Sequence, residues 1–99
     1  MRIISVKRLK IFWLNRKYKD SEQSLKAWYH EARKSRWKSH NDIKDKYRSA
    51  SILKDDRAVF NIKGNKYRLV VMVSYKYQVV FIRFIGTHEE YNKINAEKI

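Results

Sequence analysis

The chain has 99 residues, of which 43% are apolar, and it contains no cysteine. This size suits one domain, spanning residues 1–99, around one core. The missing cysteines exclude disulfides, thiol catalysis and zinc sites built on cysteine. A net charge of +14 favours a polyanionic partner. Nucleic acid is the first candidate and a membrane surface the second. The alternative is that the positive charge serves only solubility. Residues 1–49 carry +10 and residues 50–99 carry +4, so the first half should dominate long-range attraction.

The beginning of the chain gives no sign of an export signal. Arg2 lies within the first residues and Lys7 and Arg8 follow shortly after, so no signal-peptide core is recognisable. The longest apolar run has about five residues, against roughly 20 needed to cross a bilayer. We therefore expect a cytoplasmic protein with no membrane partner.

The first half of the chain predicts a short edge strand followed by two helices. Residues 1–5 have the strand pattern, and residues 6–19 have helical spacing. Asp20 or Ser21 is a candidate N-cap for the second helix. The two apolar stripes are Val6, Leu9, Phe12 and Trp13, then Leu25, Trp28, Tyr29 and Ala32. The polar stretch 35–56 predicts a loop with a helical turn at 42–47 and a short strand near 50–53.

From Arg57 the period changes to two, which predicts strands at 57–62, 66–75 and 78–85. Gly64-Asn65 is a two-residue hairpin signal, and Lys76-Tyr77 is a weaker one. The segment from His88 onward has a helical or frayed pattern. Helices followed by hairpins indicate an α+β fold in which the helices cover one face of an antiparallel sheet.

Two-residue turns would fix the pairing of these strands. They pair Val59 with Val70, Asn61 with Arg68, Met72 with Phe81, Val70 with Arg83, and Arg68 with Ile85. Paired residues share a face. The face predicted to be apolar carries Ala58, Phe60, Ile62, Tyr67, Leu69, Val71, Val73, Val80, Ile82 and Phe84. The opposite face carries Arg57, Val59, Asn61, Lys63, Lys66, Arg68, Val70, Met72, Phe81, Arg83 and Ile85.

That second face holds five basic residues, and the predicted register makes two of them diagonal neighbours. Arg68 and Arg83 would lie about 7–8 Å apart. Two adjacent guanidinium groups are tolerable where an anion sits between them, and their forked geometry matches phosphate oxygens. We therefore predict RNA contacts for Arg57, Lys63 and Lys66 on this face. A solvated basic face is the alternative. Lys26 and Arg33 could add a basic stripe on the second helix, about as readily as they could form a solvated helix face.

Candidate chemistry follows directly on the last strand, in the run Gly86-Thr87-His88-Glu89-Glu90-Tyr91. RNA cleavage by its own 2′-hydroxyl needs a base, a cation for the charged phosphorane, and an acid for the leaving oxygen. His88, Arg68, Arg83 and Tyr91 supply these group types. A structural alternative is that Thr87 and Glu90 form a helix capping box. The other histidines, His30 and His40, have no metal-ligand spacing, so we expect surface roles for them and no metal site. The chain has no glycine-rich phosphate loop, and we expect no cofactor.

The runs 60–73 and 80–91 resemble the HigB-type toxins of the RelE-like superfamily. The resemblance lies in Phe60-Asn61, Gly64-Asn65, Tyr67-Arg68 and the later His88 and Tyr91, whereas Lys63 replaces the usual first glycine of the turn. It implies two N-terminal helices packed on a curved antiparallel sheet. It also implies a metal-independent endoribonuclease that cuts mRNA on the 70S ribosome and leaves a 2′,3′-cyclic phosphate. A cognate HigA-like helix-turn-helix antitoxin would neutralise it. Arg68 would grip the scissile phosphate, with His88 at the acid–base position and Tyr91 nearby.

Two other functions remain open from the sequence. The same fold includes ParE-type toxins that inhibit DNA gyrase without cutting RNA, and a basic ribosome- or RNA-binding module needs no chemistry at all. The acid–base residues of the C-terminal run favour cleavage over gyrase inhibition, because a gyrase inhibitor needs no acid–base set.

Overall fold

A computed structural model describes residues 1–99 as an α+β fold with a layer of helices on one face of a five-stranded sheet. The fold class agrees with the prediction. None of the helices is long and apolar enough to cross a lipid bilayer. The strands are β1 (Arg2–Ile4), β2 (Ser51–Ile52), β3 (Arg57–Ile62), β4 (Tyr67–Ser74) and β5 (Val79–Thr87), and the helices are α1 (Lys7–Leu14), α2 (Glu22–Lys34), α3 (His40–Lys46) and α4 (His88–Tyr91).

The helices bury their apolar stripes against the sheet. Leu9, Phe12 and Trp13 of α1 join the core, as do Leu25 and other residues of α2. The first helix is shorter than predicted, because α1 ends at Leu14 and a 3₁₀ helix runs from Arg16 to Ser21. Asn15 between them is extended, and its side chain accepts a hydrogen bond from the Lys17 amide at 3.0 Å. Asparagine favours such local bonds, so it breaks the helix there.

The sheet has the strand order β1-β5-β4-β3-β2, and β1 lies at an edge as predicted. The predicted antiparallel arrangement is found for β2 to β5, whereas β1 runs parallel to β5, with Arg2 opposite Val79, so the sheet is mixed. No tight turn joins these two strands. The helical layer lies between them in the chain, so nothing local imposes an antiparallel direction.

The first hairpin has the predicted register, with Val59 opposite Val70 and Asn61 opposite Arg68. Its turn differs in detail, since the left-handed residues are Lys63 at φ 55° and Gly64 at φ 65°. A left-handed backbone favours glycine, and at the first of these two positions this chain has Lys63 instead.

The second hairpin keeps the predicted register only as far as a β-bulge. Met72 pairs with Phe81 as predicted, but Val71 pairs with Ile82 and Val70 with Phe84, leaving Arg83 as the extra residue. The predicted pairs of Val70 with Arg83 and Arg68 with Ile85 are therefore wrong. A bulge moves every later side chain to the other face. Phe84 consequently leaves the predicted apolar face, whereas Ile85 joins the main core.

The face of the sheet away from the helices, here called the outer face, is partly covered by the C-terminal segment. Val59 and Val70 form a small second core with Ala96, and Phe84, Tyr91 and Ile99 pack around it. The chain therefore crosses the strands after α4 and buries apolar residues there. The outer face is not one continuous basic surface.

Candidate active site

Arg68 is the central charged residue of the outer face. It lies one residue inside β4, directly opposite Asn61 on β3 and Gly86 on β5. Only 8% of its surface is exposed. Its guanidinium donates to the Asn65 carbonyl and side-chain oxygens, both at 3.0 Å, and to the Tyr67 carbonyl at 3.3 Å. The hairpin turn therefore holds this side chain in one position.

No carboxylate forms an ion pair with this buried cation. Lys26 pairs with Glu22 and Lys66 with Asp20, and the His40 ring lies 3.9 Å from Asp56. None of these contacts includes Arg68. Burying a charge without a counterion is costly, and neutral oxygens compensate only part of that cost. An anion arriving at the outer face would supply the missing charge, and guanidinium forms its strongest hydrogen bonds with phosphate and carboxylate oxygens.

A capping box fixes His88 beside this position. The Glu90 amide donates to the Thr87 hydroxyl at 3.0 Å, and the Thr87 amide donates to the Glu90 carboxylate at 2.8 Å. The structural explanation offered for Thr87 and Glu90 is thus correct. The His88 amide also donates to the Lys66 carbonyl at 3.2 Å, so the first residue of α4 is tied to the same turn that holds Arg68. The His88 side chain remains exposed.

Gly86 lies opposite Arg68, and its lack of a side chain is required by two neighbours. A Cβ there would come within 2.5 Å of the Phe84 ring and 2.9 Å of the Glu90 carboxylate. The bulge brings Phe84 to this place, and the capping box brings Glu90. Gly86 therefore allows the ring and the capped helix to meet next to the arginine.

Arg83 is farther from Arg68 than predicted. Arg68 pairs with Gly86, three residues along β5 from Arg83. The two residues are therefore about 10 Å apart along the strand direction alone. The Arg83 guanidinium lies 5.5 Å from the Phe81 ring centre, and its Nε is buried without a hydrogen-bond partner. The diagonal arginine pair is absent, because the bulge displaces Arg83.

Arg57 and Tyr91 belong to the covered part of the outer face. The Arg57 guanidinium donates twice to the Ile99 oxygen, at 2.8 and 2.5 Å. Tyr91 packs against the small core of Val59, Val70 and Ala96. Tyr91 is half-buried at the rim of the site, whereas Arg57 is engaged in holding the C-terminal segment.

The two turn lysines do not lie with Arg68. Lys66 forms an ion pair with Asp20, whose other oxygen accepts from the Tyr67 hydroxyl at 2.5 Å. The hydrogen bonds of Lys66 and Tyr67 hold the pKa of Asp20 below its usual value, and the Asp20 contact raises the pKa of Lys66. The placement of Lys66 on the outer face is wrong, because it precedes β4 and escapes the strand alternation. Lys63 is exposed beside a cleft between α2 and β3.

Lys26 and Arg33 lie on the opposite side of the molecule. Both belong to α2, which packs on the helical face of the sheet. Lys26 pairs with Glu22 at 2.5 Å, and Arg33 stacks at 5.4 Å on the Tyr29 ring. The structure does not bring these two predicted RNA contacts together with Arg68.

Three contributors were not identified from the sequence. Asn65 orients Arg68, and Asp20 holds Lys66 away from Arg68 in an ion pair. The segment around Ala96 covers part of the outer face. The role of Asn65 could have been predicted from its place in the Gly64-Asn65 turn, since asparagine in a turn commonly forms hydrogen bonds with nearby groups. The segment after α4 has no periodicity that would reveal its contact.

The amino-acid sequence was also compared with known protein families and proteins. Residues 21–94 match the family model HigB_toxin, described as the RelE-like toxic component of a toxin–antitoxin system.

The chain belongs to the HigB toxin family. The mRNA interferase toxin HigB of Escherichia coli K12 is 33% identical over 82 residues, which cover 81% of this chain and 79% of that protein. The proteins named mRNA interferase HigB from Escherichia coli O157:H7 and Shigella flexneri match to the same extent. As a HigB family member, the chain is a toxin component and has an antitoxin partner. The matched region contains Arg68, His88 and Tyr91.

Proposed function

We propose that this HigB family toxin is an mRNA interferase that cleaves RNA by attack of a 2′-hydroxyl on the adjacent phosphate. The names of its relatives support mRNA as the substrate. The observation that carries the proposal is the buried Arg68, which is held by neutral oxygens and has no carboxylate partner. Such a site favours an incoming phosphate.

In the proposed mechanism Arg68 binds the scissile phosphate. Negative charge grows on the phosphate oxygens as the 2′-oxygen attacks, so a fixed guanidinium stabilises the transition state more than the ground state. Because Asn65 and the turn carbonyls already hold the side chain, little reorganisation accompanies the reaction. The P–O5′ bond then breaks and leaves a 2′,3′-cyclic phosphate.

His88 and Tyr91 complete the proposed set. His88 accepts the proton of the attacking 2′-hydroxyl or donates a proton to the leaving 5′-oxygen, since an imidazole nitrogen can do either and its side chain is exposed at the start of α4. Tyr91, one turn later and half-buried, positions the substrate or donates to the leaving oxygen. Arg83 contacts a neighbouring nucleotide rather than the scissile phosphate, because the bulge sets it apart from Arg68. These roles need no metal ion.

The proposal includes the cellular setting. The toxin acts in the cytoplasm on mRNA held by the 70S ribosome, and a HigA-like helix-turn-helix antitoxin neutralises it. The surplus of positive charge in residues 1–49 would draw the protein towards ribosomal RNA.

The test is cleavage of mRNA with and without ribosomes by purified wild type, Arg68→Ala and His88→Ala. Arg16→Ala and His30→Ala are matched controls, since both residues lie outside the site. We expect the site variants to lose at least about 100-fold in rate and the controls to keep wild-type rates. Full cleavage by both site variants would overturn the proposed roles. Absent cleavage together with a block of gyrase supercoiling would favour a ParE-like function.

A further inference from the structure

A basic cleft of about 520 Å³ opens at the end of the sheet away from the hairpin turn that holds Arg68. It is lined by Met1, Arg2, Arg36, Lys38 and Gln78. These residues come from β1, from the loop between α2 and α3, and from the connection between β4 and β5. Three cations from two separate parts of the chain therefore face one opening.

The cationic side chains of the basic cleft form no ion pairs, and the nearby Asp42 carboxylate accepts from the Lys38 backbone amide at 2.7 Å rather than from its side chain. None of its lining residues is acidic, and none of the ion pairs in the chain involves Arg2, Arg36 or Lys38. The same field affects the Met1 amino group, whose pKa is lowered first by burial and then by Arg36 and Arg33. Like charges concentrated this way repel each other, and a bound anion would relieve that repulsion.

Neutral contacts hold the cleft open. The Gln78 side-chain amide donates to the Trp37 carbonyl at 2.7 Å and to the Tyr75 carbonyl at 2.9 Å, and the Gln78 backbone carbonyl accepts from the Arg2 backbone amide at 2.9 Å. Trp37 itself is buried, with Arg36 and Lys38 on either side. One glutamine thus joins all the segments that carry the cations, which leaves less ordering for a ligand to impose.

The basic cleft is too far from Arg68 to share its phosphate. Arg68 lies near the start of β4, and Ser74, at its end, pairs with Val79 next to Gln78. Six residues of strand separate Arg68 from Ser74, a distance of about 20 Å. An RNA that occupies both places would therefore present two different stretches of backbone.

We propose that the basic cleft is a non-catalytic binding site for the phosphate backbone of RNA, separate from the cleavage site. This inference rests on the proposed function for the identity of the polyanion. Arg2, Arg36 and Lys38 bind the phosphate oxygens, and Gln78 is a positioning residue. The cleft anchors the RNA about 20 Å from the bond that is cut.

The test compares Arg36→Gln/Lys38→Gln with Lys46→Gln/Arg48→Gln. Each double variant removes one arginine and one lysine, and none of the four residues forms an ion pair. Binding of a 2′-O-methylated single-stranded RNA is measured against salt, because this RNA cannot be cut. The slope of log affinity against log salt should fall by about 0.7 for each phosphate that the cleft variant no longer neutralises. The control should keep the larger slope. Arg2→Gln should act in the same direction as the cleft variant.

A local measurement separates this site from general charge loss. The NMR signal of the Gln78 side-chain amide should shift when this RNA is added to wild type and to the control, but not to the cleft variant. Equal slopes for the two double variants, or a Gln78 signal unmoved by saturating RNA, would overturn the proposal. Cleavage by Arg68→Ala is scored independently. If Arg68→Ala cleaved normally while Arg36→Gln/Lys38→Gln bound RNA with a reduced salt slope, the catalytic role of Arg68 would be refuted. The proposed RNA-binding role of the basic cleft would still hold.

Discussion

Replacement of Arg68 by methionine should separate stability from activity. Methionine keeps much of the length of arginine and removes the charge. The side chain is 8% exposed, has neutral hydrogen-bond acceptors and lies on the same face as Val59 and Val70. A residue kept for folding would make a large contribution at such a buried position. A residue kept for phosphate binding would contribute little or nothing to stability.

The expected magnitude follows from opposing effects. Three hydrogen bonds disappear, at about 1 kcal/mol net for each. Against this, an unpaired buried cation is removed, which relieves a desolvation penalty of several kcal/mol. We therefore expect the free energy of unfolding to change by about 1 kcal/mol or less, while the cleavage rate falls by about 100-fold or more.

Urea denaturation gives the stability, and single-turnover cleavage of mRNA on ribosomes gives the rate. Arg57→Met is the control. Arg57 lies on the same face, but its guanidinium bonds the Ile99 oxygen, and we assign it no phosphate contact. We expect it to retain most of the cleavage rate. If Arg68→Met lost several kcal/mol of stability, or if its rate fell only with the folded fraction, the interpretation of Arg68 as a phosphate ligand would be refuted.

Three further predictions concern the surroundings of the site. Lys63→Gly should raise the free energy of unfolding by up to about 1 kcal/mol, because the backbone there is left-handed at φ 55°. Thr87→Val should cost about 1 kcal/mol by removing the helix cap, and it should also slow cleavage at temperatures where the variant is fully folded. Asp20→Asn should destabilise the protein at neutral pH. Because contacts with Lys66 and Tyr67 lower the pKa of Asp20, that stabilisation is present above about pH 4 and disappears as the pH falls through the lowered value.

Asn65→Gly is the control for Lys63→Gly. The backbone of Asn65 is not left-handed and its side chain bonds Arg68, so glycine at this position should destabilise the protein.

Each of the three predictions has an outcome that contradicts it. A Lys63→Gly variant no more stable than wild type would remove the strain argument. Unchanged cleavage by Thr87→Val would show that the cap does not position His88. A stability difference for Asp20→Asn that persisted unchanged at pH 2 would exclude the charge of Asp20 as its cause.

The sequence predicted the first hairpin and most of the core face, for identifiable reasons. Gly64-Asn65 marks the turn, and the strict alternation around Phe60 and Leu69 allows one register only. The bulge was not predictable in the same way. Phe84 and Ile85 are adjacent and both apolar, so either can face the core without changing the hydrophobic pattern. The predicted position of Arg83 was wrong because the sequence pattern could not reveal this bulge.

The candidate site was predictable in its central residue and less so in its surroundings. Arg68 follows from the alternation, and the capping box around His88 follows from its spacing. The contact of Lys66 with Asp20 joins residues 46 positions apart, and that of Arg57 with Ile99 joins residues 42 apart. Such contacts depend on how the elements meet in space, and no local pattern contains that information.

The parallel pairing of β1 with β5 also affects how this toxin folds. Arg2 and Val79 are neighbours in the sheet, although almost the whole fold separates them along the chain. Helices α1 and α2 are made early, but the strands that cover Trp13 and Trp28 come later. Contacts between distant residues slow folding. During synthesis, the edge strand therefore has no partner until β5 has emerged, and the active conformation is acquired late.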